Sequence, residues 1–207
     1  MSFAIAKIPT PLLNTPNFTE LQKDDQGLLR AVETVCLPGS KFEILRDLGD
    51  IVQVKTKEYA GDNLFAHKRC LAFVSHCDER VKQLYMKKEI LERLEAMLGS
   101  AYIWGGNWHA GVPEMEPFFD LKGVDCSGLL YEATNGFTPR NTSELVNFGH
   151  EVTGKLEPLD LIVWKGHVLI VFDENTTIES KLSAGVIKSK LALPDRAFSL
   201  RRWYPTA

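Results

Sequence analysis

At 207 residues the chain is long enough for one large domain or two small ones, with a sizeable buried core. Hydrophobic residues at 44% and charged residues at 25% are the composition of an ordinary soluble globular protein, and no window approaches the roughly 20 apolar residues of a membrane span. A formal net charge of -3 gives no electrostatic case for nucleic acid and fits a neutral or zwitterionic partner better.

Met1 to Thr10 carries a single lysine and a short apolar run broken by Pro9, so it lacks the extended apolar core of a secretory signal; a cytoplasmic location is expected. Without export, Cys36, Cys70, Cys77 and Cys126 are expected to be free thiols. Cys70 and Cys77 are too far apart for a CxxC knuckle, so no metal is expected, and nothing calls for another cofactor. Pro9, Pro11 and Pro16 then punctuate the opening, and strands are predicted over 27–35, 41–48 and 50–56. The last of these, Asp50-Ile51-Val52-Gln53-Val54-Lys55-Thr56, alternates apolar and polar residues. Glu58-Tyr59-Ala60-Gly61-Asp62 reads as a turn, and short strands at regular spacing predict a small barrel.

Between Cys77 and Gly99 the period changes. Val81, Leu84, Tyr85, Ile90, Leu91, Leu94, Met97 and Leu98 recur at helical spacing, with Gly99 as the stop, and this helix is expected to open a second domain. Tyr102-Ile103-Trp104-Gly105-Gly106 is either a glycine turn among core aromatics or a close approach of backbone to ligand. Residues 107 to 120 have the composition of a loop at a pocket rim.

In Gly123-Val124-Asp125-Cys126-Ser127-Gly128, a lone thiol stands where a loop becomes a helix predicted over about 126–134, ended by Asn135-Gly136. The helix N-terminus is expected to draw the Cys126 thiol from its ordinary value of about 8.5 toward neutrality. A buried structural cysteine is the alternative. Downstream, 159–164 and 167–172 read as two strands joined by Lys165-Gly166, with a third over 175–180. Cys126 on a helix start, His167 opening a strand and a polar residue on the next strand have the order of nucleophile, base and orienter.

At these residues the chain resembles a known family. Tyr102-Ile103-Trp104-Gly105-Gly106, Asp125-Cys126-Ser127-Gly128-Leu129, Pro139-Arg140-Asn141-Thr142-Ser143, Leu156-Glu157-Pro158-Leu159-Asp160-Leu161-Ile162 and Gly166-His167-Val168 look, in this order, like the signature blocks of the NlpC family of cell-wall cysteine peptidases, over roughly residues 85 to 207. The stretch around Tyr59-Ala60-Gly61 resembles a bacterial SH3-like domain. The resemblance implies an α+β chain: a small all-β SH3-like barrel over 1–77, then a papain-like catalytic domain over 78–207. It implies hydrolysis of the γ-D-glutamyl bond to a diamino acid in peptidoglycan stem peptides that have a free N-terminal L-Ala.

By position, the resemblance makes Cys126 the nucleophile, His167 the general base and Glu179 the orienting group, where relatives often carry His, Asn or Gln. It makes Asp125 and Ser127 partners of the substrate's free amine, closed over by Tyr59. It counts Tyr102, a second oxyanion donor beside the Cys126 amide, with Trp104, Arg140 and Ser143 among the substrate contacts. Three departures stand out: Leu159 where the family has glycine, Leu169 where it has another, and Val146 in place of a glutamine. His67, His76, His109 and His150 have no comparable setting. The same thiol and histidine also serve amidases and acyltransferases, and a peptidoglycan-fragment binder that does not cleave is the remaining rival. Nothing in the sequence indicates an oligomeric state.

Overall fold

The computed structural model of the chain describes residues 2–205. They form two compact units: the chain up to Lys82 with Ile103–Gly123, and Gln83–Tyr102 with the chain from Val124 onward. The sequence led to a contiguous division, 1–77 and 78–207; the units are interleaved, and the chain passes between them three times, after Lys82, Tyr102 and Gly123.

The first unit is built on β1 (Ser2–Ala6), β2 (Thr10–Leu13), β3 (Val32–Cys36), β4 (Lys41–Asp47), β5 (Ile51–Lys55), β6 (Leu64–His67) and β7 (Leu71–Val74). They form a seven-stranded antiparallel sheet in the order β3-β2-β6-β5-β4-β1-β7. Among the described residues the order ends at β3 and β7, and no closed barrel of the kind expected from the short strands is found; the sheet has a core on each face. Adjacent residues Leu12 and Leu13 enter different cores, as the two-residue period of a strand requires. One core gathers Phe42, Val52, Val54 and Leu64; in the other, Leu13, Val32 and Phe65 meet Val112, Met115, Phe119 and Leu121 from the returning 103–123 segment.

The prolines taken as punctuation conceal β1 and β2. Pro11 has no N–H to give to a ladder, but β2 meets β6 only at Leu13↔Phe65, so Pro11 faces no bond it must make on that side. Two-residue strands β8 (Asn107–Trp108) and β9 (Gly123–Val124) follow later in the chain.

The second unit opens with α1 (Lys87–Ala96), shorter than the helix expected from Val81 onward. Val81 is 84% exposed, and the residues on either side of it are held by Glu58, which pairs with Arg80 at 3.7 Å and Lys82 at 2.9 Å. Those ion pairs override the helical period. Gly99, at φ 81, ends the turn after α1. Then come α2 (Cys126–Ala133), α3 (Thr142–Leu145), β10 (His150–Glu151), β11 (Leu161–Trp164), β12 (His167–Val171), β13 (Thr176–Lys181), β14 (Gly185–Lys190) and β15 (Ser199–Arg202).

The six strands of this unit form an antiparallel sheet in the order β10-β15-β11-β12-β13-β14. Helix α2 packs on β12 and β13, burying Leu129, Leu130 and Ala133 against Val168, Ile170 and Ile178. Into β11 the chain turns at Leu159, which takes φ +77 without being glycine. The turn is pinned on both sides: Leu159 N–H donates to Val171 O at 2.8 Å, and Trp203 Nε1–H donates to Leu159 O at 2.8 Å.

Candidate active site

The site begins with a helix cap. Asp125 is extended (φ -83, ψ -177), and its Oδ1 accepts the Gly128 N–H at 2.7 Å, which makes Cys126 the first residue of α2. From β13, Ser180 Oγ–H donates to Val124 O at 2.7 Å and ties the approach to the helix onto the sheet.

The Cys126 thiol lies against the start of β12. It donates to Gly166 O at 3.7 Å and receives the backbone N–H groups of Ser127 and Val168. β12 pairs with β13 only at Ile170 and Val171, so the backbone groups bracketing His167 are left for the thiol. His167 opens β12 opposite Trp164, across a turn that Gly166 makes at φ +87. The two rings lie with centroids 5.0 Å apart, and His167 Nε2 meets Glu179 Oε2 at 2.8 Å. With Nε2–H donated to the carboxylate, the imidazole keeps its Nδ1 lone pair for a proton from the thiol.

The electrostatics divide the site. The hydrogen bond from His167 holds the Glu179 carboxyl below its usual range against the opposing effect of burial. Burial pushes the Cys126 thiol up to about 12; Asp125 adds to the rise, while Arg140 and the two N–H groups oppose it. The lowering expected from the helix start is therefore overturned. With Cys126 only 6% exposed, desolvation of a thiolate outweighs what a helix terminus returns.

Beside the thiol, Arg140 makes a bidentate pair with Asp125, at 3.0 Å to Oδ1 and 2.6 Å to Oδ2, and donates to Ser127 Oγ at 3.1 Å. All three side chains are buried.

No protein-family model matches the chain, and no curated protein matches it. Among solved structures it is similar to an NlpC/P60 family protein from Bacillus cereus ATCC 10987, at 18% identity and a TM-score of 0.47, covering 99% of this chain and 64% of that one. It is similar to the peptidoglycan hydrolase RipB of Mycobacterium tuberculosis, at 22% identity and a TM-score of 0.49, covering 58% of this chain and 65% of that one. It is also similar to RipD of the same organism, described as a non-catalytic NlpC/p60 domain protein adapted to peptidoglycan binding, at 20% identity and a TM-score of 0.46, covering 57% and 98%. The chain spans less than two thirds of the first two proteins. All three TM-scores lie below 0.5, and the chemistry of this chain rests on its own side chains.

The structure thus brings Cys126, Asp125, Ser127 and Arg140 together by direct contact, and His167 with Glu179. Tyr102 belongs to the same unit and is half-buried. Ser143 is exposed on the short α3. Tyr59 and Trp104 belong to the first unit: the Tyr59 hydroxyl donates to Glu33 at 2.7 Å, and the Arg30 guanidinium covers the Trp104 ring at 4.0 Å.

Gly105 lies in the first unit at φ +70, beside an exposed Trp104 and half-buried Tyr102 and Ile103 rather than among core aromatics. A Cβ there would stand 2.5 Å from Val32 O, so the glycine serves a close approach of backbone to backbone. Trp164 is the neighbour of the imidazole that motif reading misses. The signal was present, because a two-residue hairpin places residues i and i+3 opposite each other. Among the described residues no helix is long and apolar enough to cross a membrane.

Proposed function

We propose that the chain is a cysteine peptidase of peptidoglycan stem peptides. It cuts the γ-D-glutamyl bond to the diamino acid in fragments with a free N-terminal L-Ala, in the cytoplasm, during recycling of wall material. One observation carries the reading: His167, paired with Glu179 at 2.8 Å, stands between the two backbone groups that hold the Cys126 thiol.

In this reading His167 Nδ1 takes the thiol proton as Cys126 Sγ adds to the substrate carbonyl. The negative charge moves to the carbonyl oxygen, where the Cys126 N–H at the helix start is the donor placed for it. The imidazolium, stabilised by Glu179, returns its proton to the departing diamino acid nitrogen, leaving a thioester on Cys126. Water, deprotonated by His167, then attacks the thioester and restores the thiol. Asp125 and Ser127 flank the nucleophile and border the subsite proposed for the substrate ammonium, with the Asp125 carboxylate already shared with Arg140.

A thiol kept protonated by burial also suits a binder of peptidoglycan fragments that does not cut. An amidase or acyltransferase would use the same thiol and imidazole on another carbonyl. Incubation with free and N-acetylated L-Ala-γ-D-Glu-diamino acid peptides separates these readings. The peptidase releases the diamino acid from the free peptide and much more slowly from the acetylated one. Equal rates on the two peptides remove Asp125 and Ser127 from amine recognition, and tight binding without release selects the binder.

A further inference from the structure

Arg140 was expected to contact substrate, but its side chain is only 3% exposed and its donors are turned inward, onto both Asp125 oxygens and Ser127 Oγ. Asp125 and Ser127 are the residues on either side of Cys126. A buried carboxylate next to a thiol opposes formation of thiolate, and a guanidinium forked onto that carboxylate cancels most of its field. The fork also fixes the direction of the Asp125 cap, and with it the first turn of α2.

We infer that Arg140 is a positioning residue for the nucleophile: it neutralises Asp125 and locks Asp125 and Ser127 so that α2 presents Cys126 to His167. This rests on the reading of Cys126 as a nucleophile and is independent of which peptide is cut. The charged groups acting on the thiol are Asp125 beside it and Arg140 from the loop before α3; His167, whose chain neighbours Gly166 and Val168 contact the thiol through their backbone, is backed by Glu179 on β13, with Lys181 at 3.8 Å from that carboxylate. α1 sends Arg93 to the opposite end of α2, where it donates to Ala133 O at 2.9 Å and Glu132 O at 3.2 Å. With Asp125 and Arg140 cancelling, the imidazole and its carboxylate govern where the thiol proton goes.

The test is the rate at which iodoacetamide labels Cys126 in the full chain, read by peptide mass across a range of pH, in the wild type, Asp125→Asn, Arg140→Met and the double variant. Leaving the Asp125 carboxylate unopposed in Arg140→Met slows labelling near neutral pH by roughly tenfold. Leaving the guanidinium unopposed in Asp125→Asn speeds it by roughly tenfold, and the double variant returns to within about threefold of the wild type.

Should Arg140→Met fail to fold, Asp125→Asn against the double variant still decides: equal labelling rates in those two overturn the proposal. Loss of structure alone would show as a lowered urea midpoint of the variant, followed by the fluorescence of Trp164 and Trp203 in the second unit. Labelling needs no peptide. A protein that cuts no stem peptide still answers this question, and a failed labelling prediction leaves the cleavage reading standing.

Discussion

Glu179 decides how the imidazole behaves. Its carboxylate, 2.8 Å from His167 Nε2, favours the tautomer that leaves the Nδ1 lone pair available, and in the proposed reaction it balances the imidazolium. Glu179→Gln keeps an acceptor at the same place and is expected to lower kcat by about tenfold; Glu179→Ala, which frees the ring, by about a hundredfold or more. The Glu179 carboxyl is held below its ordinary 4.5, chiefly by His167. A carboxyl whose folded value is depressed binds fewer protons in the folded state. Its stabilising contribution is therefore complete above about pH 4.5 and is lost as pH falls through the folded value. Urea unfolding of Glu179→Gln between about pH 3 and 6 should accordingly show a flatter dependence than the wild type; an unchanged slope would place the proton linkage elsewhere.

At this scale the sequence was informative about identity and misleading about environment. Cys126 and His167 stand at a helix start and a strand start, and Glu179 lies within β13, all in segments that local patterning marks. The raised thiol and the Arg140 fork depend on burial by elements far apart in the chain.

The elements followed their periods wherever tertiary contacts did not compete. The α2 helix, the β11–β12 hairpin and β13 lie where alternation and the Lys165-Gly166 and Asn135-Gly136 signals put them. α1 lost its first turns because Glu58 holds Arg80 and Lys82 in another conformation. β1 and β2 were hidden by prolines, and β14 and β15 by their mixed, half-buried composition.

The turn into β11 shows an element boundary imposed from outside. Leu159 adopts a left-handed conformation that costs a side-chain-bearing residue roughly 1–2 kcal/mol, and it is retained with its side chain 1% exposed. Leu159→Gly relieves that strain but empties a core site whose loss costs about 2–5 kcal/mol, so a net destabilisation of about 1–3 kcal/mol is expected in chemical denaturation. A stabilised variant would mean that the backbone strain exceeds the packing.

At the scale of the whole chain, the interleaving of the two units could not be read from local pattern, because periodicity carries no signal that 103–123 returns to the first unit. The returning segment supplies Val112, Met115, Phe119 and Leu121 to a core that also contains Leu13, Val32 and Phe65. A fragment cut at residue 77 leaves that face of the sheet without its cover. It is expected to show no cooperative unfolding transition by circular dichroism, whereas a sharp transition in residues 1–77 would make the first part of the chain self-sufficient.

The account as a whole turns on whether Cys126 performs chemistry on a stem peptide. Mass spectrometry of a stem-peptide mixture incubated with the wild type and with Cys126→Ala tests this most directly. The account predicts that the wild type releases the diamino acid portion from L-Ala-γ-D-Glu and that Cys126→Ala falls by about a thousandfold or more. Unaltered cleavage by Cys126→Ala, or an intact mixture after incubation with folded wild-type protein, would contradict it.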